Sequence, residues 1–394
     1  MDLFQGVPYS AVEDILDQCP VRLFAAEEVL LQPGQTNTNV FLVLEGRLQV
    51  HLDAADSGNA IFIESGGCIG EMSIIDGKPV SAFVLAERGS RIAVLGHEQF
   101  WAMVLDHSQA VRNILAMLTE RMRRNNEDVL KGLKERLILE HMQKEMRLAQ
   151  EIQVGMLPAT FLLPGLTQRV ELHACMLPAN EVGGDLYDFF LIPPGHVCVL
   201  IGDVSDKGMP AALFMARTIE IVRRMARLAA PGGEEPDPAS ILAQANGALC
   251  ENNPSRMFVT MFLAILHTET GNLSYCNAGH NAAYIRSAET VPRMLDARPS
   301  APLGVRPGTE YRRAEAHLHD GDMLFAYTDG VTEAADTGGA MFGEARLERE
   351  LCGNSNGRAD ACTDSILGAV QRFAAGAVQS DDITMLALRL LPEA

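Results

Sequence analysis

From Glu120 to Met156 the sequence is charged, favours helix and contains no proline. A run of this kind and length is read as one long helix. It constrains the chain more than any other feature, because the text on either side is strand-rich. A single core cannot contain it, and 394 residues are enough for two or three domains. Leu130, Leu133 and Leu137 fall at heptad-like spacing, while Ile138, Met142, Ala149, Ile152 and Met156 form a second seam in a shifted frame. Three uses fit this pattern: an αα junction, a helix packed on its own chain, and a parallel dimer stalk. The reading taken here is the stalk, and hence a homodimer. Ile152 is then a regulatory linker position, and Gly132 a point where the helix can bend. The expected domains are a sensor over 1–120, a linker over 121–157 and a third domain over 158–394.

Before the helix, Val21 to Gly96 is written in short alternating runs broken by glycine. Val29-Leu30-Leu31 meets Gln32-Pro33-Gly34, Val40 to Leu44 meets Glu45-Gly46, and Leu48 to Leu52 alternates cleanly. Ile61 to Ile63, Ala82 to Ala86 and Arg91 to Leu95 continue the pattern, which predicts a small β-barrel or roll. Ser10 to Gln18 predicts a short amphipathic helix capped by Ser10, with Val12, Ile15 and Leu16 on its apolar face. His97 to Met103 and Ala110 to Arg124 also read as helices.

After the long helix, strands are predicted at Leu172–Cys175, Val197–Gly202, Phe258–Leu266, Leu273–Asn277, Ala283–Arg286 and Met323–Tyr327. Helices are predicted at Met209–Leu228, Ser240–Glu251 and Asp364–Ala375, with a polar, proline-rich connector from Pro231 to Pro238. Strand runs with paired long helices fit an α+β sandwich, two sheets inside and helices outside.

The formal charge is −19, with no basic segment, which argues against a nucleic-acid partner. A site for a phosphorylated substrate would therefore need positive charge from elsewhere, and metal ions supply it. Eight cysteines are scattered without a Cys-x-x-Cys pair, as expected in a reducing compartment. No signal peptide and no bilayer-length apolar run is visible, so a cytoplasmic protein without a membrane partner is expected.

The stretch from Ile201 to Gly208, Ile-Gly-Asp-Val-Ser-Asp-Lys-Gly, follows the apolar run Val197 to Leu200. A carboxylate at a strand end, beside carbonyls freed by a turn, suits a hard cation. The competing use is local: Asp203 or Ser205 caps the following helix. Three more aspartates, Asp185, Asp329 and Asp381, also stand where a strand meets a turn, so a sandwich can bring all four to one edge.

These segments resemble the SpoIIE/RsbU branch of the metal-dependent (PPM) serine/threonine phosphatases. The entry sequence Ala149 to Pro158, Val-Gly-Gly-Asp ending at Asp185, Gly202 to Gly208, Asn277-Ala-Gly-His280, Tyr327 to Glu333 and Ser380 to Thr384 carry the likeness in one frame. The resemblance implies an α/β/β/α sandwich with two Mn²⁺ or Mg²⁺ ions. It implies that Asp203 bridges both ions and that the Val204 carbonyl contacts one. Asp329 and Asp381 would hold the other, and Asp185 would contribute directly or through water. Asp382 is counted with the metal ligands, although it stands where many relatives outside this branch have asparagine. The implied chemistry is direct attack by an ion-activated water on a phosphoserine or phosphothreonine, without a covalent enzyme intermediate. The implied partner is a phosphorylated STAS-domain protein. Cys198 and Cys276 are then core thiols, His280 a buried residue holding a turn rather than a leaving-group acid, and Arg217 a surface or inter-helix residue. A non-catalytic scaffold of the same fold is the alternative. A nucleotide-controlled transcription factor is set aside, because no helix-turn-helix follows the roll.

The segment Ile69 to Ala82 resembles the phosphate-binding cassette of the cyclic-nucleotide-binding domain of the catabolite activator protein and protein kinase A regulatory subunits. Gly70, Glu71, Ser81 and Ala82 match the ligand positions, and Glu71 matches the residue that binds the ribose. Val80 stands where the family places the phosphate-gripping arginine. A sensor for another small molecule, weak or inert toward cyclic AMP, is expected.

Overall fold

The computed structural model describes residues 2–51, 60–163, 169–229, 235–287, 291–295, 298–353 and 357–393. It divides into two compact units, Met1–Ile138 and Leu139–Ala394. Half of the connector, residues 231–234, lies outside the described residues.

In the N-terminal unit a 3₁₀ turn (Asp2–Phe4) and helix α1 (Tyr9–Asp17) precede eight strands. These are β1 (Val21–Phe24), β2 (Val29–Leu31), β3 (Asn39–Glu45), β4 (Arg47–His51), β5 (Ala60–Glu64), β6 (Cys68–Ile69), β7 (Phe83–Ala86) and β8 (Ser90–Gly96). Helix α2 (Glu71–Asp76) lies between β6 and β7, and α3 (His97–Asp106) follows β8. The strands form two antiparallel four-stranded sheets, β1-β8-β3-β6 and β2-β7-β4-β5. Strand period decides the packing. Val40, Leu42, Ala93 and Leu95 face the helical residues Val12, Phe100 and Met103. Phe41, Val43, Ile92 and Val94 face Leu48 and Val84 of the other sheet. Pro8, not Ser10, is the N-cap of α1, and no side chain caps that end. Ser10 falls within the first turn.

Helix α4 (Ser108–Met156) is a single unbroken helix of 49 residues that continues through Gly132. The two shorter helices read from the sequence are one. Leu130, Leu133, Leu137, Ile138, Met142 and Ile152 are all exposed, so the first seam is open and the second is open except at the half-buried Ala149 and Met156.

The C-terminal unit is an α/β/β/α sandwich. Its strands are β9 (Val170–Leu177), β10 (Leu186–Ile192), β11 (His196–Val204), β12 (Val259–His267), β13 (Asn272–Ala278), β14 (Tyr284–Arg286), β15 (Arg293–Met294), β16 (Ala314–His317), β17 (Met323–Tyr327) and β18 (Ile383–Leu390). They form the antiparallel sheets β10-β11-β12-β13-β16 and β15-β14-β17-β18-β9. Helices α5 (Met209–Leu228) and α6 (Pro238–Cys250) cover the first sheet. A short α7 (Asp329–Thr332) follows β17, and α8 (Glu344–Gly353) packs on α9 (Ala359–Ala374), which covers the second sheet. Alternation again sorts the side chains. Leu324, Ala326, Leu386 and Leu388 enter the core between the sheets. Met323, Phe325, Met385 and Ala387 turn outward to Cys362 and Ile366 of α9. Both faces of the inner strands are thus apolar, as expected when helices cover each sheet. Cys198 and Cys276 are buried on the face of the first sheet that α5 and α6 cover. Among the described residues no helix is long and apolar enough to cross a membrane.

Candidate metal centre

The register of the strands creates the site. Leu186 at the start of β10 pairs with Gly202 near the end of β11. Tyr327, the last residue of β17, pairs with Met385 near the start of β18. Asp185, Asp203, Asp329 and Asp381 therefore come to one edge of the sandwich, two from each sheet. Neither Asp203 nor Ser205 caps a helix. Asp203 is inside β11, α5 begins after Gly208 with no side-chain cap, and Ser205 Oγ accepts from the Phe258 N–H at 3.0 Å.

The two sheets are clasped at this edge by Asp382. Its Oδ1 accepts from the Ala179 N–H at 2.8 Å and its Oδ2 from the Gly184 N–H at 3.0 Å. The carboxylate thus holds the Val-Gly-Gly-Asp loop, and Gly183 is required there, since a Cβ would lie 2.0 Å from Asp382 Oδ2. At Gly184 a Cβ would lie 2.8 Å from the Val204 carbonyl oxygen and 3.2 Å from Asp203 Oδ1. This glycine leaves room for a cradle of oxygens. Thr328 Oγ1 donates to Asp185 Oδ2 at 2.8 Å.

The carboxylates raise one another. Burial pushes Asp185 well above the usual carboxylate range, and the Asp203 charge adds to it. Burial, then Asp329 and Asp381, push Asp203 up to about 7. Asp329 is raised by burial and by Asp381. Such an edge holds like charges that only cations relieve. Its donors are all oxygen, which suits Mg²⁺ or Mn²⁺ rather than a thiolate-seeking metal. As the side chains stand, among the described residues no three His, Cys, Asp or Glu converge to hold one ion. Asp185 and Asp381 instead have partners of their own: Thr328 for the first, Lys207 at 2.8 Å for the second. The all-oxygen donor set and the Gly184 cradle fit a divalent ion.

Three contributors escaped the sequence reading. Gln153 of α4 is buried and clamps Gly183 through both ends of its amide. Its Nε2 donates to the Gly183 carbonyl at 2.7 Å, and its Oε1 accepts from the Gly183 N–H at 3.2 Å. The end of the long helix is thus tied to the residue two before Asp185. Asp188, fully buried in β10, makes a two-point ion pair with Arg223 of α5, which also reaches the Met156 carbonyl at 3.4 Å. The third is Lys207. Their partners are remote in sequence, so no local signal announces them.

His280 does not reach out to act as an acid. Asn277 Oδ1 accepts from the His280 N–H and Asn277 Nδ2 donates to the His280 carbonyl, each at 2.8 Å. The ring meets Thr260 Oγ1 at 2.8 Å, and burial lowers its pKa to about 4, so it is neutral near pH 7. Arg217 donates to the Ala248 and Glu251 carbonyls at the end of α6, both at 2.7 Å, and stays an inter-helix residue.

Two five-stranded antiparallel sheets between helices, with carboxylates gathered at one edge, define the PP2C-like, or PPM, phosphatase fold. The SiaA-PP2C domain of Pseudomonas aeruginosa shares it, with a TM-score of 0.55 at 22% identity over 64% of this chain and 98% of that domain. Residues 193–391 match the family model of Stage II sporulation protein E (SpoIIE), half of the chain, and the chain belongs to that family. Residues 21–107 match the cyclic nucleotide-binding domain. Protein IcfG of Synechocystis sp. is 30% identical over 268 residues, covering 62% of this chain and 41% of that protein. The phosphoserine phosphatase RsbU of Bacillus subtilis is 28% identical over 226 residues, 56% of this chain and 64% of that protein. The chain spans about half the length of the curated relatives it matches.

In the N-terminal unit Ser81 is exposed and Ala82 buried, while Val80 and Glu71 have neighbours of their own. Val80 is buried among Phe41, Ile69 and Val84. Glu71 is buried and paired with Arg121 of α4, whose Nη2 also donates to the Cys68 carbonyl at 2.8 Å.

Proposed function

We propose that the C-terminal unit is a metal-dependent phosphoserine/phosphothreonine protein phosphatase, regulated through the N-terminal unit and α4. The observation that carries this reading is the gathering of Asp185, Asp203, Asp329 and Asp381 at one edge of the sandwich, beside the Val204 carbonyl. Two Mn²⁺ or Mg²⁺ ions would be held there by Asp203, the Val204 carbonyl, Asp185, Asp329 and Asp381. When bound, the ions neutralise the phosphate dianion and acidify a water for in-line attack. The chain's own residues do the rest. Asp382 and Gln153 hold the loop that carries Asp185, and Thr328 orients its carboxylate. His280, neutral and pinned, keeps the turn after β13 in place, and the buried thiols stay out of the chemistry.

The substrate we propose is a phosphorylated STAS-domain anti-sigma-factor antagonist in partner switching, by likeness to RsbU. The sensor ligand is not a cyclic nucleotide. Val80 offers no charge to a phosphate, and Arg121 is paired with one of the two oxygens of Glu71. A homodimer joined along the exposed seams of α4 is the proposed assembly, and the cytoplasm the proposed compartment. Hydrolysis of p-nitrophenyl phosphate and of a phosphoserine peptide, with Mn²⁺ and with chelator, tests the reading. Activity that needs Mn²⁺ and vanishes in Asp203→Asn is expected. A folded, Mn²⁺-saturated protein inert on both substrates would instead establish a non-catalytic scaffold.

A further inference from the structure

Lys207 lies in the loop between β11 and α5, flanked by two left-handed positions, Asp206 at φ 70° and Gly208 at φ 75°. Its ammonium donates to Asp381 Oδ2 at 2.8 Å and to the Ser380 carbonyl at 2.7 Å. The other carboxylate oxygen, Asp381 Oδ1, accepts from the Asp382 N–H at 2.9 Å. The Asp381 backbone is fixed as well, because Gln379 Nε2 donates to its carbonyl at 2.7 Å and to that of Leu177 at 2.8 Å. Asp381 is therefore held by its main chain, and both of its oxygens are engaged. Only one of the two can be released without moving that main chain, the one facing Lys207. The lysine side chain is 53% exposed and that of Asp381 32%, so the ammonium can leave toward solvent without breaking a core.

We infer that Lys207 is an exchangeable counter-ion, which neutralises Asp381 until a divalent cation displaces it. The inference rests on the reading of Asp381 as an ion ligand and adds a competitor to it. Electrostatics give the direction. Asp203 and Asp382 face Lys207 along with Asp381, and Asp329 also lies within its field. One monovalent charge relieves part of the repulsion at this edge, and a divalent ion with several oxygen ligands relieves more. The lysine thus sets a threshold: the edge is charge-balanced enough to fold, and a cation must exceed the ion pair to bind. Arginine would hold the carboxylate in a two-pronged grip, whereas lysine is a point charge on a flexible stem, suited to letting go.

The test is calorimetric titration of Mn²⁺ into the full chain at about pH 8, because ion ligands bind in their deprotonated form. Wild type, Lys207→Met, Lys207→Arg and Asp203→Asn are compared, with circular dichroism to confirm folding. A half-exposed pair is weak, so Lys207→Met should bind Mn²⁺ roughly two- to fivefold tighter than wild type. Lys207→Arg, which keeps the competing charge, should bind no tighter than wild type. The midpoint of Mn²⁺-dependent thermal stabilisation should move to lower concentration in Lys207→Met by the same factor. Unchanged or weaker Mn²⁺ binding by a folded Lys207→Met would overturn the inference and make the lysine a fixed structural tie. If wild type itself binds Mn²⁺ no better than Asp203→Asn, the metal reading fails, and the inference with it.

Discussion

Replacing Asp203 by asparagine should make the chelated C-terminal unit more stable while removing its response to metal. The reason is the direction of the Asp203 pKa, which burial, Asp329 and Asp381 push from 3.8 up to about 7. An acid whose pKa is higher in the folded state binds its proton more tightly there. Its contribution is intact below the unfolded value near 4 and is lost as pH rises to about 7. A shift of about 3 units corresponds to at most about 4 kcal/mol, and relaxation of the edge halves it to about 2 kcal/mol. For a domain of this size each kcal/mol moves the melting temperature by about 2–4 °C, so a gain of about 4–8 °C is expected. Asp185 shares in this gain, because neutralising its neighbour removes one of the charges that raise it. The assay is differential scanning calorimetry in EDTA from about pH 4 to about pH 8. Wild type and Asp203→Asn should coincide at the acid end and diverge with rising pH. Added Mn²⁺ should then raise the wild-type transition and leave that of the variant unmoved. Parallel curves, or a variant less stable at the alkaline end, would refute the charge-repulsion argument.

Further outcomes follow from other parts of the molecule. Gly184→Ala places a Cβ 2.8 Å from the Val204 carbonyl oxygen, and the displaced loop should cost about 100-fold in Mn²⁺-dependent turnover with the fold retained. Arg223→Met leaves Asp188 buried without its partner and should destabilise the C-terminal unit by about 3–5 kcal/mol, read by denaturant unfolding. Calorimetry should show no micromolar binding of cyclic AMP or cyclic GMP to the wild-type chain, the missing arginine contact alone being worth at least tenfold. Val80→Arg should stay silent unless Arg121→Ala also frees Glu71. Ile152, 62% exposed, and Gln153, 8% exposed, are neighbours on different faces of α4. Ile152→Asp should dissociate the dimer in sedimentation, whereas Gln153→Ala should leave assembly intact and lower the Mn²⁺ response.

The sequence disclosed whatever is local. Alternation in Leu48 to His51 and in the runs on either side of it predicts the roll, and α5 spans Met209–Leu228 as its apolar period suggests. The four aspartates are visible because each stands at or close to the end of a strand-like run. The sequence concealed whatever depends on distant pairing. β10 carries Asp188 at its centre, and a buried charge in a strand makes sense only once Arg223, 35 residues later, is seen against it. β18 is apolar on both faces, and such a run cannot be told from buried helix by period alone. Asp382 reads as one more ligand beside Asp381, yet its oxygens serve Ala179 and Gly184, about 200 residues earlier. Lys207 reads as part of a loop motif, and its partner is 174 residues away.

The Asn277–His280 turn has a consequence for how such chains lose their chemistry. Its reciprocal hydrogen bonds and Gly279, whose Cβ would lie 2.9 Å from Pro302, support the fold irrespective of any ion. The carboxylates of Asp203 and Asp329 are opposite in kind, since without cations they burden the native state. Once selection for turnover lapses, drift has an incentive to erase the second group and none to erase the first. A descendant without activity would still carry Asn-Ala-Gly-His intact, and only the state of its aspartates would betray it.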